Sequence, residues 1–570
     1  MARNSSHFML ESPLHEHHLL RYDVKIEDKP SFGREKTAVI SFFDENNKRV
    51  ATYKYAFITK EEIYALIDQG ESINLNNCYV IDFSLTEYRT EKGFDDHVQI
   101  KLKNFTAKKS FFDCEVSTDF SYADFEGDKL VFDSAIFGNG HTNFFGASFG
   151  HANVTFKKAK FGSGHTTFQS VKFGDGNISF NNTNFGTGDL SFVDAQFSNG
   201  NVDFKTTYFG DGTVDFKFSR FASGDVSFER ASFGKGKKDF KNVEFGGGKI
   251  DFRRVEFNDG DVSFEGVEFG DGKVSFRSSV FGAGKKTFEF ADFAQGEAQF
   301  DLVDFGSGTV SFNKARVSEI SFKGCPLNCY MDLRFGECKL VDLSNTIVRD
   351  ILDVKPVGEA VVIKEMNLVD MRILGRLFIS WRENNVFDLI YNQKETTLFQ
   401  KSEQFRVLKE NFRNNGQYTD EDESYLEFKR CESKANLSDA IAKDKKNALW
   451  AYPNYYFQKY VFDYVGRYAT DPVRVLTNAI LAVILYGLLY YFTTEYFPQF
   501  GTIASTLPPE LLHVHDFWNS MYYSSITFFT VGYGDYFAEG YLKFFAACEG
   551  FSGVFLMSYF TVAFVRKILR

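Results

Sequence analysis

FGDGTVDFKFSR, residues 209–220, and FGDGKVSFRSSV, residues 269–280, are two instances of one twelve-residue phrase that fills the chain from residue 125 to residue 312. One Phe series runs Phe125, Phe137, Phe149 and onward to Phe305; a second runs Phe132, Phe144, Phe156 and onward to Phe312, and every position in both is Phe. Self-similarity at a fixed short period marks a repeat architecture. The stretches V-x-F and A-x-F alternate with period two, so each lays two side chains inward and one outward as a brief strand. The Gly-x-Gly between them predicts a corner, because glycine reaches turn conformations freely. One unit buries nothing alone, but stacked units align Phe into ladders in which each buried ring contributes about 2 kcal/mol. The middle of the chain is therefore predicted to be a β-solenoid.

The Phe separations alternate seven and five. A five-residue step with a small residue two before the large one resembles the pentapeptide-repeat family, and the resemblance implies right-handed, four-sided coils. Two extra residues at every second corner set this chain apart from that family. They predict a coil of 24 residues with four Phe stacks, with a flattened 12-residue coil as the alternative. The longer coil gives about eight turns and an axial length of roughly 38 Å at strand spacing. Plain five-residue steps resume at Val317, Phe322 and Leu327, then loosely around Leu333, Cys338 and Leu343, so the solenoid is expected over residues 111–370.

Residues 1–19 read as a disordered N-terminus and 20–110 as a small α/β cap. TAVISFFDENNKRVATYKYAF (37–57) alternates about a polar turn like a hairpin, and KEEIYALIDQG (60–70) carries a helical apolar face ending at Gly. Such a unit covers an open solenoid end, whose bare strand edge invites aggregation. His15, His17 and His18 belong to the tail rather than to a metal site, and the first residues show no apolar h-region, so no cleaved signal peptide is expected.

Composition narrows the function. Sixty-five Lys and Arg against 76 Asp and Glu give a net charge of −11 with no basic tail, which argues against nucleic-acid binding. Seven scattered Cys fit a reducing compartment. Cys325, Cys329 and Cys338 match no common zinc spacing and are expected to be buried and structural. Gly246-Gly247-Gly248-Lys249 and Gly282-Ala283-Gly284-Lys285 lack phosphate-loop spacing and sit between strands, so they read as corners. Asp211 and Asp271 do not follow calcium-roll spacing. No Ser/His/Asp, Cys/His or metal constellation has usable spacing, which predicts a non-enzyme with no organic cofactor.

After about residue 395 the period becomes helical. Residues 371–450 form a predicted helical connector: Phe405, Leu408 and Phe412 share one face, Gly416 stops the helix, and Thr419 is placed to cap a second helix carrying Tyr425 and Leu426. Residues 451–470 crowd Tyr and Phe rings beside Arg467 and read as a helix in the headgroup layer, with a tightly packed soluble helix as the alternative. Val475–Thr493 and Phe544–Val565 are long enough to cross the hydrocarbon core. Arg467 and Arg474 precede the first span, and Arg566, Lys567 and Arg570 follow the second, while 495–542 contains no Lys or Arg. That distribution predicts a two-pass protein of the cell (inner) membrane with both termini cytoplasmic.

Between the spans, DFWNSMYYSSITFF (516–529) is a short helical pattern capped by Asp516, and TVGYGD (530–535) follows. Irregular backbone at membrane depth is tolerated only where protein buries it or where it lines a watery path. Gly532 and Gly534 let successive carbonyls face one side, and a ring of such carbonyls replaces the hydration shell of a cation. These residues resemble the potassium-channel signature, and residues 471–570 are similar to the pore domain of two-span bacterial channels. The resemblance extends to QFRVLKENF and FLMSYFTVAFVRK, as in bacterial channels that carry pentapeptide repeats before the pore. It implies a homotetramer in a lipid bilayer with potassium ions bound by Thr530, Val531, Gly532, Tyr533, Gly534 and Asp535, no other metal, and support from Thr527 and Glu549. Phe529 stands where the family usually has Thr, and Ile526 where some members carry an acid, which bears on inactivation and cavity blockers rather than on ion choice.

The second span is expected to line the pore. Gly550 and Gly553 offer a bend, with Gly553 favoured by position and close helix packing as an equal alternative. Met557, Thr561 and Val565 fall one turn apart as an apolar gate. Glu549 at lipid depth reads as a hydrogen-bonding brace behind the filter. With no Arg ladder, steep voltage sensing is not expected. The expected function is a tetrameric potassium-selective channel gated by its cytoplasmic repeats, acting through the connector and interfacial helix on the first span. The competing class is a membrane-tethered solenoid scaffold with a non-conducting pore. The sequence names no stimulus and no resting state.

Overall fold

A computed structural model describes residues 21–44, 46–356, 358, 362–506 and 516–569. The tail with its three His and Arg570 lie outside the described residues. The chain forms two compact units, 1–393 and 394–570.

The first unit opens with antiparallel strands β1 (Arg21–Glu27), β2 (Thr37–Phe43) and β3 (Arg49–Ile58). Helix α1 (Lys60–Gln69) starts at a reciprocal Thr59–Glu62 capping box and ends at left-handed Gly70, as its sequence requires. The cap joins the solenoid through shared strand pairing. β3 pairs in parallel with Cys78–Ile81, that strand with Phe111–Asp113, and that with Ile136–Phe137. Ala38, Ile40, Phe42, Tyr55, Tyr79 and Phe111 form the cluster at this junction, and Asp113 accepts the hydroxyls of Tyr22 (2.6 Å) and Tyr79 (2.5 Å).

Strand register settles the coil length. Val154 lies opposite Ile178 and Ile178 opposite Val202, while Thr142 lies opposite Thr166 on another face, so equivalent residues recur every 24 positions. Four Phe stacks run through the interior. Phe180–Phe204–Phe228 (5.0 and 4.7 Å between centroids) and Phe168–Phe192–Phe216 (4.8 Å each) belong to the V-x-F faces; Phe173–Phe197–Phe221 (4.8 and 4.3 Å) and Phe185–Phe209–Phe233 (5.6 and 4.2 Å) belong to the other two. Within a stack the rings are nearly parallel, while rings of the two V-x-F stacks meet edge to face, as at Phe192–Phe204 (83°), and other neighbours are tilted, as at Phe204–Phe209 (41°). Past residue 305 the coil shortens: Thr309 faces Tyr330 and Met331 faces Leu352. Coiling continues through Arg376–Phe378, beyond the expected end near 370. Asn384 and Gln393 close the last turn by donating to the Val354 and Met366 carbonyls at 2.8 and 2.5 Å, around the short helix α2 (Leu85–Lys92)'s successor α3 (Val386–Tyr391).

The corner glycines serve close approach as well as turning. The second glycine of each Gly-x-Gly is there for close approach, since a Cβ on Gly212 would lie 2.3 Å from the Gly188 oxygen and one on Gly224 2.0 Å from that of Gly200. Left-handed backbone falls at two places in the coil: on first-position glycines such as Gly186, Gly210 and Gly270 (φ 65–73°), as the sequence predicts, and two residues after the second-series Phe, at Ser170, Asn182, Asp194, Thr206, Phe218 and Arg230 (φ 55–60°). Corner Asn and Asp satisfy the next coil's amides: Asn177, Asn201 and Asp225 N–H donate at 2.9 Å to Asn153, Asn177 and Asn201. Asp211 accepts likewise from Lys235 N–H, which accounts for the recurrent corner acids.

In the second unit α4 (Leu398–Asn414) and α5 (Tyr418–Lys443) form a hairpin around Phe405, Leu408, Phe412 and Leu426. Thr419 does not cap α5: the helix starts one residue earlier, after Gln417, and its first turn holds Asp420 and Glu421, which complement the positive end of the helix dipole. α6 (Ala448–Phe457) runs into a π-helical segment, Gln458–Tyr464, with Trp450, Tyr452, Tyr456, Phe457, Tyr460 and Tyr464 exposed. The helices α7 (Pro472–Tyr496) and α9 (Leu542–Ile568) are long and apolar enough to cross a membrane.

Candidate functional site: the loop between two apolar helices

The helix α8 (Asp516–Phe528) packs between α7 and α9, with Tyr490, Tyr523, Ile526, Ala538 and Leu542 in one cluster. Asp516 stands inside its first turn rather than before it, and the helix ends at Phe528, leaving Phe529 in the turn. The turn satisfies the last carbonyls, since Thr530 N–H donates to Thr527 (3.1 Å) and Val531 N–H to Ile526 (2.8 Å).

From there the chain loses its packing. Thr530, Gly532 and Gly534 are left-handed (φ 55°, 59° and 78°), and a Cβ on either glycine would meet nothing within 4 Å. The run 529–534 is exposed throughout, Tyr533 by 75%, between buried Phe528 and Ala538. The Thr530 hydroxyl donates to the Phe529 carbonyl at 2.8 Å. Asp535 anchors the far end: its carboxylate accepts the Tyr522 hydroxyl (2.9 Å), and its carbonyl accepts Thr506 N–H and the Ser505 hydroxyl, each at 3.0 Å. Ile503–Ser505 then pairs antiparallel with Tyr536–Ala538. These strands are too short for a period to betray them in the sequence. The loop is thus clasped at both ends and bare in the middle.

Glu549 is fully buried on α9. It accepts the Tyr490 hydroxyl of α7 at 2.7 Å, and the Ser524 hydroxyl of α8 lies between it and the Val483 carbonyl. Three helices therefore meet at one carboxylate, which braces α8 rather than touching residues 530–535 directly. Thr527 is half-buried, and its carbonyl faces Gly550 across 3.8 Å to a Cβ built there. At Gly553 that Cβ would lie 1.9 Å from the Phe528 oxygen, which gives the close-packing reading of this glycine a direct geometric basis; α9 runs through both glycines without interruption. Met557 is half-buried and Thr561 and Val565 are exposed, while Leu556 and Ala563 face inward. Cys325, Cys329 and Cys338 are buried in the solenoid, and no group of metal-ligating side chains exists among the described residues.

Residues 478–570 match the family model described as an ion channel. That stretch takes in most of α7, all of α8, the 530–535 loop and α9. A comparison with curated proteins returns no match. The second unit of this chain carries an ion-channel domain built on two membrane-capable helices.

Proposed function

We propose that the chain is a potassium-selective channel that works as a homotetramer, with TVGYG as the selectivity filter. The carrying observation is the bare loop: Thr530–Gly534 follows a short helix between two membrane-capable helices, is fixed at both ends, and leaves the side chains of Val531 and Tyr533 exposed and the space beside Gly532 and Gly534 open. Backbone at that depth needs a covered or watery setting, and further copies of the same loop around one axis supply it. Carbonyls of Thr530, Val531, Gly532 and Tyr533 then take the place of water around a dehydrated potassium ion. The C-terminal end of α8, with its partial negative charge, faces the ion's path. Glu549 holds α8 at the required angle, and the Met557, Thr561 and Val565 side of α9 lines the inner route.

The basic residues Arg467, Arg474, Arg566 and Lys567 at the outer ends of the two spans support a reading in which the connector and the solenoid are cytoplasmic and the membrane is a bacterial-type inner membrane. There the repeats act as the regulatory part of the channel, and the exposed aromatic row of α6 and the π-helical segment lies in the headgroup layer. The test is potassium flux from liposomes containing the purified protein. Gly532→Ala and Tyr533→Ala are expected to abolish flux or its selectivity while assemblies keep their size. Unchanged potassium conductance in both variants rejects TVGYG as the filter, and no flux from the unaltered protein favours the scaffold reading.

A further inference from the structure

The cytoplasmic end of α9 is tied to the hairpin as well as to its own neighbours in the membrane. Asp422 on α5 accepts from Lys567 Nζ at 2.7 Å and from Arg566 Nη2 at 3.2 Å. The Arg566 guanidinium lies over the Tyr425 ring, 4.2 Å from its centroid. The Asp422 side chain is only 8% exposed and that of Arg566 22%, so salt screens these charges less than it screens a surface pair.

Two turns earlier on α9, the Tyr559 hydroxyl donates to the Phe462 carbonyl (2.7 Å) and accepts Ala469 N–H (2.9 Å). Those two contacts bracket an unusual link. Arg467, Tyr468 and Ala469 are successive non-glycine residues in left-handed conformation (φ 47°, 53° and 62°), just after the π-helical Gln458–Tyr464. Such backbone is unfavourable for L-residues and persists only where surroundings impose it. Here α5 imposes it: Arg467 pairs with Glu423 at 2.8 Å, and Arg430 holds Asp463 through two bonds of 2.8 Å.

We propose that Asp422, with Arg566 and Lys567, is a latch that couples the α4–α5 hairpin directly to the inner end of α9, in parallel with the route through α7. The latch and the strained link form one bistable element: while Asp422 holds α9, Tyr559 together with Glu423 and Arg430 of α5 keeps residues 467–469 left-handed. Release of Asp422 frees the end of α9 and lets the link relax. A stimulus that moves α5 then biases the pore without acting on the first span, by preferring one of the two arrangements. This inference rests on the proposed channel function and names the residues that would regulate it.

The test uses the full-length protein in liposomes with single-channel recording. Asp422→Asn is nearly isosteric. It and the pair Arg566→Gln with Lys567→Gln are each expected to shift open probability about 5-fold or more in the same direction, with no further shift when all three changes are combined. Unchanged open probability in Asp422→Asn, or effects that add, overturns the latch. If the unaltered protein passes no ions, the channel reading fails and hydrogen exchange decides the latch instead. Faster exchange at residues 560–569 in Asp422→Asn, with α8 unaffected, supports it; unchanged protection there overturns it.

Discussion

Gly550 and Gly553 stand one turn apart on α9 in unlike surroundings. At Gly553 an added methyl runs into the backbone that ends α8, whereas at Gly550 the nearest atom is 3.8 Å away. Gly553→Ala is expected to destabilise the membrane domain by about 1–3 kcal/mol, and Gly550→Ala to be neutral or slightly stabilising because Ala is the better helix former. Thermal unfolding in detergent checks both. The solenoid offers the same contrast: Gly212→Ala collides with the Gly188 carbonyl of the preceding coil, while Gly247→Ala, with nothing within 4 Å, should leave the melting temperature unchanged. The letters were legible at this scale, and TVGYGD most of all. What each glycine does was not, because its collision partner lies a full coil or a helix away. The same holds for Glu549, whose partners Tyr490 and Ser524 are 59 and 25 positions distant.

Phe204 sits fully buried between Phe180 and Phe228, and truncation to Ala there is expected to cost about 3–5 kcal/mol. Since each coil touches only its neighbours, the loss of hydrogen-exchange protection should centre on residues 180–228 rather than spread through the unit. Lys238 tests the same element from another direction. It occupies the inward position held by Val at 214 and 262, its Nζ donates to the Asp259 carbonyl at 2.5 Å, and burial pushes its pKa down from 10.5 to about 8. Between those values the unfolded chain binds the proton that the folded chain has lost, so this lysine's contribution to stability rises with pH from about 8 to 10.5. Lys238→Val should flatten that part of the stability profile. Elements with long periods were legible: the solenoid, its four stacks, the α4–α5 hairpin and the two apolar helices. The left-handed residues two places after the second-series Phe are Ser, Asn, Asp, Thr, Phe and Arg alike, so no residue type announces them, unlike the left-handed corner glycines such as Gly210 and Gly270. The π-helical turn and the strands at 503–505 and 536–538 were equally silent, being imposed by contacts rather than by local preference.

At the scale of the molecule, a unit with Phe stacks through most of its interior is joined to a unit whose 530–534 loop is left exposed. Removing residues 1–393 is expected to change open probability while leaving the preference among ions intact, as judged by recordings of the remaining unit; identical gating would remove the regulatory role assigned to the repeats. The division into a repeat part and a membrane part could be read from composition and hydropathy. The exposure of the 530–534 loop could not, because exposure depends on which parts of the fold pack around it. The most direct test of potassium selectivity is the reversal potential of the reconstituted full-length protein with potassium on one side of the bilayer and sodium on the other. A reversal potential close to the potassium limit is predicted, and a value near zero, with both ions crossing equally, would contradict it.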